Sequence, residues 1–250
     1  MPTSIDLNCD LGEGAGHDGE LMPLISSANI ACGAHAGDRN SMRAAVRLAL
    51  KHGVAIGAHP GFADRENFGR REMAIAPAAA GEMVFMQVRA LQAVALEVGA
   101  VVHHVKLHGA LYNMASRDSK LAEAIVQAAC ATEKNPMLYV LAGSELERVA
   151  RAQGKVMVVP EVFADRTYKR DGSLTPRGRN GAVIAEADAA VAQVLSMVRQ
   201  GVVLAGDGTR VPIRAETVCL HGDTPHAVWF AQVVRTKLAA AGIAVRSPGV

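Results

Sequence analysis

The sequence predicts an α/β fold, a slightly irregular (β/α) barrel with seven core strands. Two observations carry that expectation. Short apolar runs alternate with stretches of helical period along 250 residues, a length that suits one such barrel. Six of those runs end in acids or histidines: Asp10, His35, His59, His108, the stretch from Glu161 to Asp165, and His221 with Asp223. A barrel of parallel strands brings all those ends to one face, so the pattern predicts fold and site together.

The first strand, SIDLNCDLGEG, puts Asp6, Asn8 and Asp10 on one face because strand side chains alternate. The glycine-rich turn GEGAGHDGE follows. The second strand ends at Gly33, with His35 and Asp38 just beyond it. A helix then runs through NSMRAAVRLALKH, with Met42, Ala45, Val46, Ala49 and Leu50 as its apolar stripe and Gly53 as its stop. The third strand ends at His59 and leads into a long loop, GFADRENFGRRE. Pro77 opens a helix to about Val98. The fourth strand, VVHHVKLHG, directs His104, Lys106 and His108 the same way. Helices over 118–132 and 144–153 flank the fifth strand, MLYVLAG. In the sixth, VMVVPEVFAD, Pro160 argues for a bend in place of a full ladder position. Residues 166–182 lack any period and read as a long loop. A helix over 187–199, a small hairpin turning at 206–209, the strand TVCLHGD and a last helix over about 225–241 complete the chain. No linker or repeat divides it, so residues 1–250 are expected to form a single domain.

Half the residues are hydrophobic, enough for a large core. A net charge of +2 and 4% aromatic residues argue against a nucleic-acid partner. The four cysteines form no CxxC pair and read as reduced thiols of a cytoplasmic protein. No apolar run reaches the roughly 18 residues of a membrane span, and a strand begins too early for a signal peptide.

Asp10, His59 and His108, brought together from separate strands, could hold a divalent metal or serve as general base and acid. No HxxxH or HExxH spacing decides between the two. Lys106 would need a carboxylate such as Asp10 or Glu13, whether as a structural ion pair or as a substrate contact. Cys9 and Cys219 read as packing. The loop ADRTYKRDGSLTPRGR carries Arg166, Lys169, Arg170, Arg177 and Arg179; its length and glycines fit either a lid that meets an anion or a solvated charged surface. Arg65, Arg70 and Arg71 in GFADRENFGRR are open to the same two readings. No GxxxxGK(S/T) phosphate loop occurs.

Seven phrases, in this order, resemble the LamB/YcsF family: DLNCDLGE at 6–13, SANIACGAHAGD at 27–38, AHPG at 58–61, FGRR at 68–71, KLHGALYN at 106–113, EVFADRTY at 161–168 and HGD at 221–223. The resemblance spans nearly the whole chain; its small departures include Leu107 where the family motif has proline. It implies a barrel of the glycoside hydrolase/deacetylase type. It further implies the A component of an ATP-dependent 5-oxoprolinase, which with subunits B and C cleaves 5-oxo-L-proline to L-glutamate, ATP serving the whole complex. Against that background Asp10, His59, His108 and Asp165 are the candidates for catalysis. Asn8, Glu13, His35, Lys106, Arg166, Tyr168, His221 and Asp223 are the candidates for substrate binding. The alternatives are a stand-alone metal-dependent deacetylase or amidohydrolase, and a non-catalytic subunit that binds the lactam.

Overall fold

The computed structural model describes residues 3–221 and 227–249. Asp223 therefore lies outside the described residues. Seven parallel strands close a barrel: β1 (Ser4–Leu11), β2 (Ser27–Ala31), β3 (Ala55–His59), β4 (His104–Lys106), β5 (Met137–Leu141), β6 (Met157–Phe163) and, after a two-stranded hairpin of β7 (Val202–Leu204) and β8 (Arg210–Pro212), β9 (Thr217–Leu220). β9 pairs with both β6 and β1, which closes the ring. A two-residue strand, β10 (Ala244–Val245), adds to the N-terminal end of β1. This last pairing had no sequence signal, because two residues are too short for a period to show.

The helices are α1 (Asp18–Leu21), α2 (Arg39–His52), α3 (Pro77–Glu97), α4 (Gly109–Ala115), α5 (Ser119–Thr132), α6 (Glu145–Gln153), α7 (Ala187–Gln200) and α8 (Ala227–Ala240). Their limits follow local chemistry. The Asp38 carboxylate accepts from the backbone N–H of Asn40 and Ser41 to start α2, and Gly53, left-handed at φ 65°, ends it. Asp118 and Ser144 cap α5 and α6 in the same way.

The apolar core lies outside the barrel, between its strands and the helices. Leu7, Ile30, Val105, Leu138 and Val218 are among the strand residues buried there. The interior of the barrel is largely polar, with Met137, Tyr139 and Val159 as a small apolar cluster. Asp6, Asn8, Ser27, Asn29, His104, Lys106, Glu161 and Thr217 are all buried, and they form one hydrogen-bonded network. Strand alternation places them on the inner face.

Gly57 makes room inside the barrel: a Cβ there would lie 2.0 Å from His104 Nε2. Gly57→Ala should therefore evict the imidazole and cost roughly 1–3 kcal/mol, the usual penalty for overpacking. A urea titration measures it, and an unchanged midpoint would mean that this ring does not fill the position.

Three sequence expectations need correction. The fourth strand is only three residues long, because the chain leaves the ladder after Lys106. The His108 N–H donates to Pro60 O at 2.8 Å and the Ala110 N–H to Gly69 O at 3.0 Å. Gly109, at φ 56°, then turns the chain into α4, which sequence periodicity had not revealed. β6 continues through Pro160, which keeps a ladder position opposite Val140 of β5. The Pro160 carbonyl faces β9 and accepts from Glu216 just before β9 begins, so the N–H that proline lacks would have met no ladder partner.

Candidate functional site

The floor of the barrel mouth is organised by Lys106 from β4. Its Nζ lies 2.9 Å from Asp10 Oδ1, 3.0 Å from Glu161 Oε1, 3.1 Å from Asn8 Oδ1 and 3.0 Å from Cys219 Sγ. Burial alone would depress the ammonium, but the charge of Asp10, with Cys219 and Glu161, holds it well above its ordinary value. Burial would likewise raise Asp10; His59 and Lys106 outweigh that and hold its carboxyl well below the usual range. The Tyr112 hydroxyl donates to Glu161 Oε2 at 2.7 Å. Below this level His104 Nε2 donates to Asn29 Oδ1 at 2.8 Å, which fixes the Asn29 amide so that its NH₂ reaches Asp10 Oδ1 at 2.9 Å.

A cluster of three histidines stands beside Asp10. The His35 and His108 rings stack with centroids 3.7 Å apart, and His59 meets both edge-on. Glu13 Oε1 accepts from His35 Nε2 at 3.0 Å and lies 3.2 Å from His108 Nδ1. Burial would raise Glu13, yet the hydrogen bond it accepts from His35 is among the contacts that hold it well below the carboxylate range. Burial pushes His35 down to about 4, so its ring is neutral at pH 7. Among the described residues, two groups have donor atoms close enough to share one metal ion: Glu13, His35, His59 and His108, and Asp10, Cys219 and His221.

On the far side of the mouth His221 Nδ1 contacts Asp165 Oδ2 at 2.7 Å, and its ring stacks on Phe163. Burial would raise Asp165; His221 outweighs it and lowers the carboxyl. A pocket of about 760 Å³ opens over Asp10, Glu13, His59, Lys106, His108 and His221. The segment from Lys169 to Gly178 walls one side of it.

The candidates do not all reach that pocket. Asn8, His35 and Asp165 are not in its lining; Asp165 stands behind His221, which is. Tyr168 is fully buried beneath the loop, where its hydroxyl accepts from the Phe163 N–H at 2.8 Å. Arg166 lines the pocket, but its guanidinium is held by the carbonyls of Thr175, at 2.5 Å, and Ala182, at 3.4 Å. It braces the loop. Tyr112 and Glu161 belong to the network although the sequence did not single them out as site residues. Glu161 could have been found, since it shares the inner face of its strand with Phe163; Tyr112 sits on the unforeseen α4.

These carboxylates set the acid limit of the fold. Asp10, Glu13 and Asp165 are held low, so the unfolded chain takes up their protons first, near pH 4. Their stabilisation is present above that pH and is lost as pH falls through the folded values. Asp6 is raised by burial and offsets part of it. The urea midpoint should therefore fall steeply below about pH 4.

Fold and site define a (β/α)-barrel protein with a buried charge network under a histidine-rich pocket walled on one side by a loop. The chain belongs to the LamB/YcsF family, whose model matches residues 5–249. A protein of Brevibacillus brevis, named as the A component of 5-oxoprolinase, is 51% identical over 97% of this chain and 97% of its own length. One of the same name from Geobacillus thermodenitrificans is 52% identical over 98% and 96%. The crystal structure of a lactam utilization protein from Thermus thermophilus has 47% identity and a TM-score of 0.90, covering 97% of this chain and 99% of that one. A peptidoglycan deacetylase of Bacillus subtilis, 12% identical with a TM-score of 0.50 over 98% of this chain and 87% of its own, shares the fold alone. No helix among the described residues is long and apolar enough to cross a membrane.

Proposed function

We propose that this chain is the lactam-hydrolysing component of an ATP-dependent 5-oxoprolinase, converting 5-oxo-L-proline to L-glutamate together with B and C subunits. The observation that carries the reading is the identity of 51–52%, over nearly the full length, to proteins named as the A component of that enzyme. The pocket supports it chemically. Opening a five-membered lactam requires a water made nucleophilic, a stabiliser for the oxygen that gains charge, and a proton for the departing nitrogen. Asp10 Oδ2, beside His59, is placed to take the proton from water. Lys106 supplies the fixed positive charge beneath it. His221, backed by Asp165, is placed to give the ring nitrogen its proton. Water oxygen joins the carbonyl carbon, the C–N bond breaks, and the free amine of glutamate results.

A small lactam occupies only a fraction of about 760 Å³, which leaves space beside the loop for a further anionic group. The chain has no P-loop, so in this reading a partner chain uses ATP to phosphorylate the amide oxygen, releasing ADP; in this barrel one water opens the activated ring to γ-glutamyl phosphate, and a second cleaves that to glutamate and phosphate. Four unpaired thiols support a cytoplasmic location. The test is glutamate release from 5-oxoproline and ATP. The isolated chain should be nearly inactive, and its assembly with B and C active. Full ATP-dependent activity from the chain alone would overturn the division of labour, and none from the assembly would overturn the substrate.

Arg166→Ala should raise KM for 5-oxoproline in that assembly roughly 10-fold, because the loop loses the strut that holds it at the pocket wall. An unchanged KM would make the loop a plain surface.

A further inference from the structure

Two imidazole nitrogens meet at the centre of the site and, with both rings neutral, have no hydrogen to share. His59 Nδ1 lies 2.8 Å from the Lys106 carbonyl oxygen, and His108 Nε2 lies 2.8 Å from the Phe68 carbonyl oxygen. A carbonyl oxygen can only accept, so each of those nitrogens carries its ring's hydrogen. When both rings are neutral, that leaves His59 Nε2 and His108 Nδ1 as bare lone pairs facing each other at 3.0 Å. Glu13 Oε1 joins them at 3.2 Å from His108 Nδ1 and 3.8 Å from His59 Nε2, and Asp10 Oδ2 stands 3.4 Å from His59 Nε2. Four acceptor atoms around one buried point require a cation between them.

We propose that this point binds a divalent transition-metal ion with zinc-like preferences, through His59 Nε2, His108 Nδ1 and Glu13 Oε1. Tetrahedral coordination at bond lengths of about 2.0–2.1 Å places donor atoms roughly 3.3–3.4 Å apart. The three separations here, 3.0, 3.2 and 3.8 Å, bracket that value. Each histidine also gives its far N–H to a backbone carbonyl, the arrangement that fixes ring and tautomer in metal-ligating histidines. His35 fits a supporting place in the outer shell. Its Nε2–H holds Glu13, and its buried Nδ1 has no partner, so binding a metal through Nε2 would strand an N–H there.

This ligand set differs from the grouping of Asp10 with the two histidines that strand order suggests. Asp10 Oδ1 is already held by Lys106 and Asn29, and although Oδ2 comes within 3.4 Å of His59 Nε2, Asp10 is not among the residues whose donor atoms all converge on that point. The second donor group fails for a related reason: Cys219 Sγ faces the Lys106 ammonium at 3.0 Å, where a cation already sits. Three protein ligands leave a position open, as in zinc sites that activate water, and Asp10 Oδ2 lies beside the cluster. The competing occupant is a proton that makes His59 an imidazolium donating to His108.

The test uses the full chain alone, without lactam, nucleotide or partner chains, so its failure and that of the lactam reading are separable. Chelator-treated protein is titrated with Co²⁺ and followed by visible absorption. One equivalent should bind with d–d bands of low coordination number, and Zn²⁺ should displace it. His108→Ala and Glu13→Gln, each shown folded by circular dichroism, should weaken Co²⁺ binding far more than 10-fold, and His35→Phe by about 10-fold. The proposal is overturned if folded wild-type protein develops no bands, if the bands persist in both ligand variants, or if ¹⁵N spectra of the protein as purified show His59 doubly protonated and Co²⁺ leaves them unchanged.

Discussion

Replacing Lys106 with methionine is expected to destabilise the barrel by about 3–5 kcal/mol, the usual cost of removing one partner from a buried ionic network. Methionine roughly fills the volume, so a cavity is not the cause. What remains is the Glu161 carboxylate, wholly buried, and Asp10 Oδ1, both without the ammonium that faces them at 3.0 and 2.9 Å. Asn8 and Tyr112 still donate to Glu161, which limits the loss. Lys106→Arg should not restore stability, because a planar fork cannot replace a compact ammonium between Asn8, Asp10, Glu161 and Cys219. Adding Glu161→Gln to Lys106→Met should recover part of the stability by removing the stranded charge. Denaturant titrations of the two single variants and the double variant measure this coupling. Additive effects would show that the two side chains do not form the ion pair their distance indicates.

Much of this network was legible in the sequence. Alternation along SIDLNCD put Asp6, Asn8 and Asp10 on one face, and the same rule aligned His104 with Lys106. Which face looks inward was fixed by the need to bury Leu7 and Cys9 against the helices. The demand of an inward lysine for a carboxylate anticipated Asp10, now seen at 2.9 Å. Pairwise geometry beyond the strands was not legible. Glu13 follows the end of β1 in a turn without period, and nothing local says that it reaches His35 and His108. Arg166 looked like a substrate contact because it follows a site-forming strand, and Tyr168 because it lies in a motif of the resembling family. The fold of their loop turns Arg166, at the pocket wall, onto the carbonyls of Thr175 and Ala182, and Tyr168 into the core. α4 was hidden because its start depends on Gly109 packing against Gly69, a contact made across about 40 residues.

Asp10→Asn is expected to lower glutamate formation by the assembly with B and C roughly 10²- to 10⁴-fold, the range for loss of a general base. The geometry fixes how the amide must sit. Lys106 Nζ requires an acceptor where Oδ1 now lies, so the asparagine oxygen takes that place. Its NH₂ then occupies the Oδ2 position, 3.4 Å from His59 Nε2, and turns an acceptor facing the pocket into a donor. The variant keeps the volume, and Lys106 keeps Glu161 as its counter-charge at 3.0 Å, so the fold should persist at pH 7. If a partner chain performs the ATP chemistry, ATP consumption should fall less than glutamate release, since activation of the lactam would continue while hydrolysis fails. Parallel loss of both would place Asp10 upstream, in substrate capture. Near-native glutamate release would remove Asp10 from the chemistry, and a matching loss of helical signal would leave it a structural counter-ion to Lys106.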